Sequence, residues 1–331
     1  MATYKALRGL TIRTVDGDAS PLVAGDIWYN SSSKKIKGAK LAPGAWASGG
    51  NINSARQGCS GSAPPSGTSA AIIFAGTPPE TTYGNLSETY DGSSWTAAPT
   101  MVNKKSSRGS VGISSTAVLA VGCRDGTISP PVAALNEEWD GSSWSEEADI
   151  NTARFDIGGF GTVTAGIAAG GGTSPSASAT TDKVESWDGS SWTETTEINT
   201  GRGEDHKASA GTSNTAGLIY GGPTNNVESW NGSAWTEVTD MNTARAGCIG
   251  TGTQTAALAI GGGGPEGETE QWNGSTWTEV ADLGTARANN GAGGTTTNAI
   301  VMGGSTQPGS TRRAETEEWT YGHTLKKITL G

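Results

Sequence analysis

The sequence predicts an all-β fold: a six-bladed β-propeller closed by an N-terminal strand, with a small β module formed by the two ends. Three observations predict it. A tryptophan-centred unit recurs every 42 to 49 residues, each unit carries four short strand signals, and no segment sustains the 3.6-residue period of a long helix.

The unit is read from Glu-x-Trp and a second Trp five residues on. Its copies are Glu137-Glu138-Trp139 with Trp144, Glu185-Ser186-Trp187 with Trp192, Glu228-Ser229-Trp230 with Trp235, and Glu270-Gln271-Trp272 with Trp277. Glu88-Thr89-Tyr90 with Trp95 is a variant. The second Trp falls at Trp46, Trp95, Trp144, Trp192, Trp235 and Trp277. Between copies runs Asn-Thr-Ala-Arg or a relative, which places Arg56, Arg108, Arg154, Arg202, Arg245 and Arg287. The first strand of each unit follows the Arg and is rich in Gly, Ala and Ser. The second is an apolar run closed by Gly or Gly-Gly, the third ends in Glu-x-Trp, and the fourth starts at the next Trp. Asp-Gly-Ser-Ser or Asn-Gly-Ser between the third and fourth is hairpin punctuation, because Asp, Asn and Gly tolerate positive φ. The two aromatics are then set opposite each other across the hairpin, a pairing that stabilises sheets.

There are six first, second and third strands but only five fourth strands inside the units; Gly44-Ala45-Trp46-Ala47-Ser48 supplies the sixth. The chain thus divides into residues 44–321 as the propeller and residues 1–43 with 322–331 as an attachment module. Glycines such as Gly247, Gly250 and Gly252 suit innermost strands crowded at an axis. The Trp rings belong further out, buried between sheets. In the module, Leu10–Val15 and Leu325–Leu330 read as strands, and Gly25–Ile36 as a hairpin around Asn30-Ser31-Ser32-Ser33.

Composition narrows the function. Twenty-two Lys and Arg against 32 Asp and Glu give a net charge of −10, the wrong sign for a nucleic-acid groove. The longest apolar runs, such as Ala71–Ala75, are strand-length, which argues against membrane insertion. No apolar stretch opens the chain, so no signal peptide is expected. Cys59, Cys123 and Cys248 lie far apart in small-residue strands and read as buried hydrophobes. Two histidines leave little scope for a His-based metal or catalytic site, and no cofactor is expected.

The Gly-Gly, Glu-x-Trp and second-Trp order resembles the kelch motif, whose repeats form propellers, although four residues between the aromatics make a loop shorter than usual. The array is more specifically similar to the kelch-like virion proteins of marine tailed bacteriophages, cyanophages included. Gly25-Asp-Ile-Trp28-Tyr-Asn-Ser-Ser, Trp46-Ala-Ser-Gly-Gly-Asn-Ile-Asn-Ser-Ala-Arg56, and the Asn-Thr-Ala-Arg and Trp-Asn-Gly-Ser-x-Trp-Thr-Glu arrays carry the likeness across nearly the whole chain. It implies a non-enzymatic virion component on the tail, its fibres or the capsid surface. Its partners would be other virion proteins, reached through the terminal module, and a host-surface glycan or receptor. A soluble lectin-like propeller binding carbohydrate or protein is the alternative.

The six arginines read as architecture, each pairing with a carboxylate such as Glu185 or Glu228. Ligand-binding candidates are residues that break the repeat: Asp156, Glu204, Asp205, His206, Asn289 and Asn290, which follow the arginines and would meet at one mouth of an axial channel. A cation or sugar site there competes with a solvated polar rim. Glu266, Glu268 and Glu270 alternate, which reads as an exposed acidic edge.

Overall fold

A computed structural model describes residues 12–16, 18, 26–79, 84–125, 131–174, 179–203, 205, 207–263, 267–306 and 311–327. All its regular elements are strands. The chain divides into two compact units, residues 46–320 and residues 1–45 with 321–331.

In the smaller unit, β1 (Arg13–Val15) runs parallel to β2 (Ile27–Asn30), which pairs antiparallel with the start of β3 (Lys35–Ser48). The hairpin expected around Asn30 is present. Trp28 is buried, and Asp18 holds the hairpin through Lys37 at 2.8 Å and the Asn30 amide at 2.8 Å. The strand expected over Leu325–Leu330 is, as far as Lys327, the continuation of β26 (Thr316–Lys327); residues 328–331 and Leu10–Thr11 lie outside the described residues.

In the larger unit, five sheets are four-stranded and antiparallel. The first comprises β4 (Ser60–Ser62), β5 (Ala71–Phe74), β6 (Ser87–Tyr90) and β7 (Trp95–Ala98). The second comprises β8 (Gly109–Val111), β9 (Val118–Arg124), β10 (Val132–Trp139) and β11 (Trp144–Glu147). The third is β12 (Gly158–Thr162), β13 (Ala165–Ala169), β14 (Val184–Trp187) and β15 (Trp192–Thr195). The fourth is β16 (Ser209–Ser213), β17 (Ala216–Ile219), β18 (Val227–Trp230) and β19 (Trp235–Val238). The fifth is β20 (Ile249–Thr253), β21 (Ala256–Ile260), β22 (Thr269–Trp272) and β23 (Trp277–Glu279). A sixth sheet contains β24 (Gly291–Gly294), β25 (Asn298–Met302) and β26, with β3 in the fourth-strand place beside β26.

The aromatic pairs face each other in register, Trp187 opposite Trp192 and Trp230 opposite Trp235, with ring centroids 5.2 and 5.1 Å apart. Trp46 meets Trp319 in the same way at 5.3 Å. Apart from half-buried Trp46, the ring residues of these pairs are 0–8% exposed, so each removes most of its apolar surface from water, worth about 2–3 kcal/mol. The turns between them correct one detail. Gly takes positive φ (94° at Gly141, 97° at Gly189), whereas the preceding Asp does not. Asp188 instead accepts the Ser190 and Ser191 amides at 2.9 and 2.8 Å.

Neighbouring sheets are joined by repeated bonds. First strands touch in the sequence β4, β8, β12, β16, β20, β24, and β24 also touches β4. From the third sheet on, the second glycine after the second strand reaches the next Arg carbonyl: Gly171 to Arg202 at 3.1 Å, Gly222 to Arg245 at 2.9 Å, Gly262 to Arg287 at 3.1 Å. Gly304 of the sixth sheet donates in the same way to Arg56 of the first at 2.8 Å. Second-Trp indoles act similarly. Trp144 Nε1 donates to Ser87 Oγ at 3.2 Å, Trp95 Nε1 to Thr316 Oγ1 at 3.0 Å, and Trp46 Nε1 to Thr269 Oγ1 at 3.1 Å. Trp46 therefore does for the sixth sheet what Trp95 and Trp144 do for the first and second.

Candidate functional site

The recurring arginines are architectural. Each guanidinium faces a third-strand glutamate: Arg56–Glu88 2.8 Å, Arg108–Glu137 2.6 Å, Arg154–Glu185 2.8 Å, Arg202–Glu228 3.7 Å, Arg245–Glu270 3.2 Å and Arg287–Glu317 3.0 Å. All are buried. Burial pulls the Arg56, Arg154, Arg202 and Arg287 guanidiniums below their usual value, and the facing carboxylates oppose that. The Asn-Thr part of the motif serves the same carboxylate. The Asn151 and Thr152 amides donate to Glu185 at 2.7 and 3.3 Å, and Asn151 Nδ2 adds a bond at 2.8 Å. This role of the Asn was readable in its recurrence three residues before the Arg.

Two expectations are corrected here. Arg108 does not share the position of the other arginines. Ser106, not the residue after Arg108, makes the backbone bridge (to Arg124) that Phe155 makes to Gly172, so Lys105 stands in the Arg place. Lys105 pairs with Asp125 at 2.5 Å, and Arg108 reaches Glu137 from three residues further on. The acidic edge is also not exposed. Glu270 is buried on Arg245, and Glu268 lies 3.7 Å from Arg245 Nε; Glu266 lies outside the described residues.

Three of the repeat-breaking residues, Asp156, Asp205 and Asn289, fall in one hydrogen-bonded cycle. Gly58, Ser107, Asp156, Asp205, Gly247 and Asn289, one ahead of each first strand, all adopt left-handed φ of 50–68°. Each of five donates its amide to the preceding member's carbonyl: Ser107 to Gly58, Asp156 to Ser107, Gly247 to Asp205, Asn289 to Gly247, and Gly58 to Asn289, at 2.8–2.9 Å. The sixth link runs from the Asp205 amide to Asp156 Oδ2 at 3.1 Å. The bonds thus form a cycle, a collar of six left-handed residues. Gly, Ser, Asp and Asn suit it because a short polar or absent side chain lowers the cost of that backbone region.

Lys207 links the fourth sheet to the first. It precedes β16 of the fourth sheet, yet its Nζ donates to the Cys59 carbonyl ahead of β4 in the first sheet, at 2.8 Å. Lys207 is 3% exposed. Beyond it is a cavity of about 70 Å³ to which every sheet contributes, through Ser62, Ser110, Gly159, Ser209, Thr251 and Gly293 among others. Its hydroxyls are already spent between sheets: Ser110 Oγ on Gly61 O at 3.1 Å, Ser209 Oγ on Gly159 O at 2.8 Å, Thr251 Oγ1 on Gly294 O at 2.8 Å. Pockets for small organic ligands run to several hundred Å³, well above this volume.

Two of these candidate residues are buried rather than solvated. Asp156 is 3% exposed and Asn290 is 0% exposed, with neither Asn290 side-chain polar atom meeting a partner among the described residues. Asp156, Asp205 and Asn289 belong to the collar, while Glu204 and His206 lie outside the described residues. Among the described residues no group of three or more His, Cys, Asp or Glu side chains could hold a metal. The three cysteines are buried and unpaired, and burial pushes the Cys123 thiol up to about 11. What this arrangement does chemically is clamp first strands together.

No protein-family model matches the chain, and no curated protein matches it either.

Proposed function

We propose that the chain is a six-bladed, kelch-like β-propeller, its last blade completed by the strand around Trp46, and that it serves as a non-enzymatic structural protein of a tailed-phage particle. The cycle of bonds through Gly58, Ser107, Asp156, Asp205, Gly247 and Asn289 is the observation that carries this reading, because a cycle with one member per sheet fits radial repetition about an axis. The virion role rests on the motif resemblance. It is supported by the use of the repeat's arginines and glutamates inside the sheets, as buried pairs rather than as a reactive cleft. The unit made from both ends serves as the attachment to other virion proteins, and the exposed turns and outer strands face the host surface.

Mass spectrometry of purified particles made from the encoding genome tests the role. Peptides of this chain at structural-protein abundance are expected, and particles that lack them overturn it. A glycan array of the purified protein tests the lectin-like alternative, which high-affinity binding by protein that never enters particles would favour.

A further inference from the structure

We propose that a notch in the sixth sheet is a binding site for a primary carboxamide. Four sheets carry an Asn three residues before the Arg. The Nδ2 groups of Asn53, Asn151, Asn199 and Asn242 donate to the blade glutamate at 2.7–2.8 Å. Three of them also reach the carbonyl of the second Trp: Trp95 at 3.0 Å, Trp192 at 2.9 Å and Trp235 at 3.4 Å. One carboxamide thus ties the third strand to the fourth. In the sixth sheet Gly284 stands in that place. Its amide still donates to Glu317 Oε2 at 2.7 Å, but the side-chain half of the device is gone.

A cavity of about 140 Å³ lies there, lined by Ser48, Asn51, Gly284, Thr285, Glu315 and Glu317 among others. A Cβ built on Gly284 would meet only the Glu317 carboxylate within 4 Å, with Oε2 tight at 3.2 Å, and no backbone atom. Gly284 itself is exposed, which leaves the notch open to solvent.

The charges select the ligand. Glu317 is paired with Arg287 at 3.0 Å and Glu315 with Arg313 at 3.5 Å, so the negative charge is already matched. A neutral donor fits better than an ammonium, which would add an unmatched charge beside two carboxylates already paired with arginines. A carboxamide supplies two N–H donors for Glu317 Oε2 and a strand carbonyl, and a C=O for the Ser48 hydroxyl. A free small amide and an Asn or Gln side chain from another protein share this chemistry.

The test uses the full chain, with propionamide, propylammonium and acetyl-Asn-N-methylamide as probes. Propionamide binds with a Kd of about 1–10 mM, shifts the Gly284 and Thr285 amide resonances, and raises Tm by about 2 °C at tenfold excess over Kd. Gly284→Asn carries its own carboxamide, melts higher than the wild type, and loses the propionamide response. Tighter binding of the blocked Asn than of propionamide assigns the site to a protein side chain, and the reverse assigns it to a free amide. No response of the wild type to either amide, an equal response of Gly284→Asn, or tighter binding of propylammonium overturns the proposal. The propylammonium comparison stands on the wild type alone, whatever the folding of the variant.

Discussion

The third sheet takes all four strands from one stretch of chain, Gly158 to Thr195, whereas the sixth takes three from near one end and its fourth from around residue 46. Much of the internal construction is nevertheless shared. Arg154–Glu185 at 2.8 Å has its counterpart in Arg287–Glu317 at 3.0 Å, and Trp187–Trp192 at 5.2 Å in Trp46–Trp319 at 5.3 Å. The sheet is thus specified by residues at fixed places, not by continuity of the backbone. The difference lies in how completely each is finished. The third has the Asn151 amide and a Trp192 that is 6% exposed; the sixth has Gly284 and a half-buried Trp46.

The harshest way to break the shared part is to remove the glutamate. Glu185→Ala leaves Arg154 buried without a counter-charge and takes the acceptor from the Asn151 and Thr152 amides. It should cost about 3–5 kcal/mol in urea denaturation. Glu317→Ala should fall at the lower end of that range, since no Asn side chain loses a bond there. An Arg154→Leu and Glu185→Leu double variant should recover much of the loss, because the cost arises from an orphaned charge rather than from the absence of a pair. A single-variant loss below about 1 kcal/mol would show that the carboxylate does not organise the sheet.

Trp192→Ala and Trp46→Ala address the unequal part. A fully buried Trp truncated to Ala costs about 3–5 kcal/mol; half-buried Trp46 should cost less, about 2 kcal/mol. The location of the damage separates them more sharply. Gly49 and Ile52 donate to Thr316 and Ala314 at 2.8 and 2.9 Å, and Trp46→Ala should speed hydrogen exchange of those two amides while the third sheet keeps its protection. Uniform exchange in both sheets would mean that the strand around Trp46 does not open on its own.

Much of this architecture was legible because period and residue type carry it. The third strands of the first five sheets end at Tyr90, Trp139, Trp187, Trp230 and Trp272 as read, and the arginines meet carboxylates as read. The shifted role of Arg108 was not legible. Alignment on the residue type hid the fact that Lys105 occupies the backbone position, and a guanidinium is long enough to reach Glu137 from three residues away. The collar was hidden for a different reason. Its six members share a backbone conformation, not a side chain, and Gly58, Ser107, Asp156 and Asn289 show no motif until their φ values are seen together. The reach of Lys207 was not legible because nothing local places the Cys59 carbonyl, 148 residues away, at its tip.

A gentler contrast comes from acid. The third sheet turns at Asp188, the first and second at Asp91 and Asp140, while the sixth has no such turn because its fourth strand arrives from elsewhere. Bonds from the Ser94, Ser142 and Ser191 regions pull these carboxyls from the ordinary 3.8 down to about 2. Their folded value lies below the unfolded one, so the stabilisation is present in full above about pH 4 and is lost as pH falls towards 2. Replacing Asp91, Asp140 and Asp188 with Asn copies the turns of the fourth and fifth sheets, where Asn231 and Asn273 accept the same amides at 2.9–3.0 Å without titrating. The urea midpoint of the triple variant should therefore fall less steeply between pH 4 and pH 2 than that of the wild type. Protection in the sixth sheet should respond to acid alike in both proteins. Parallel midpoint curves would remove the turns from the acid response.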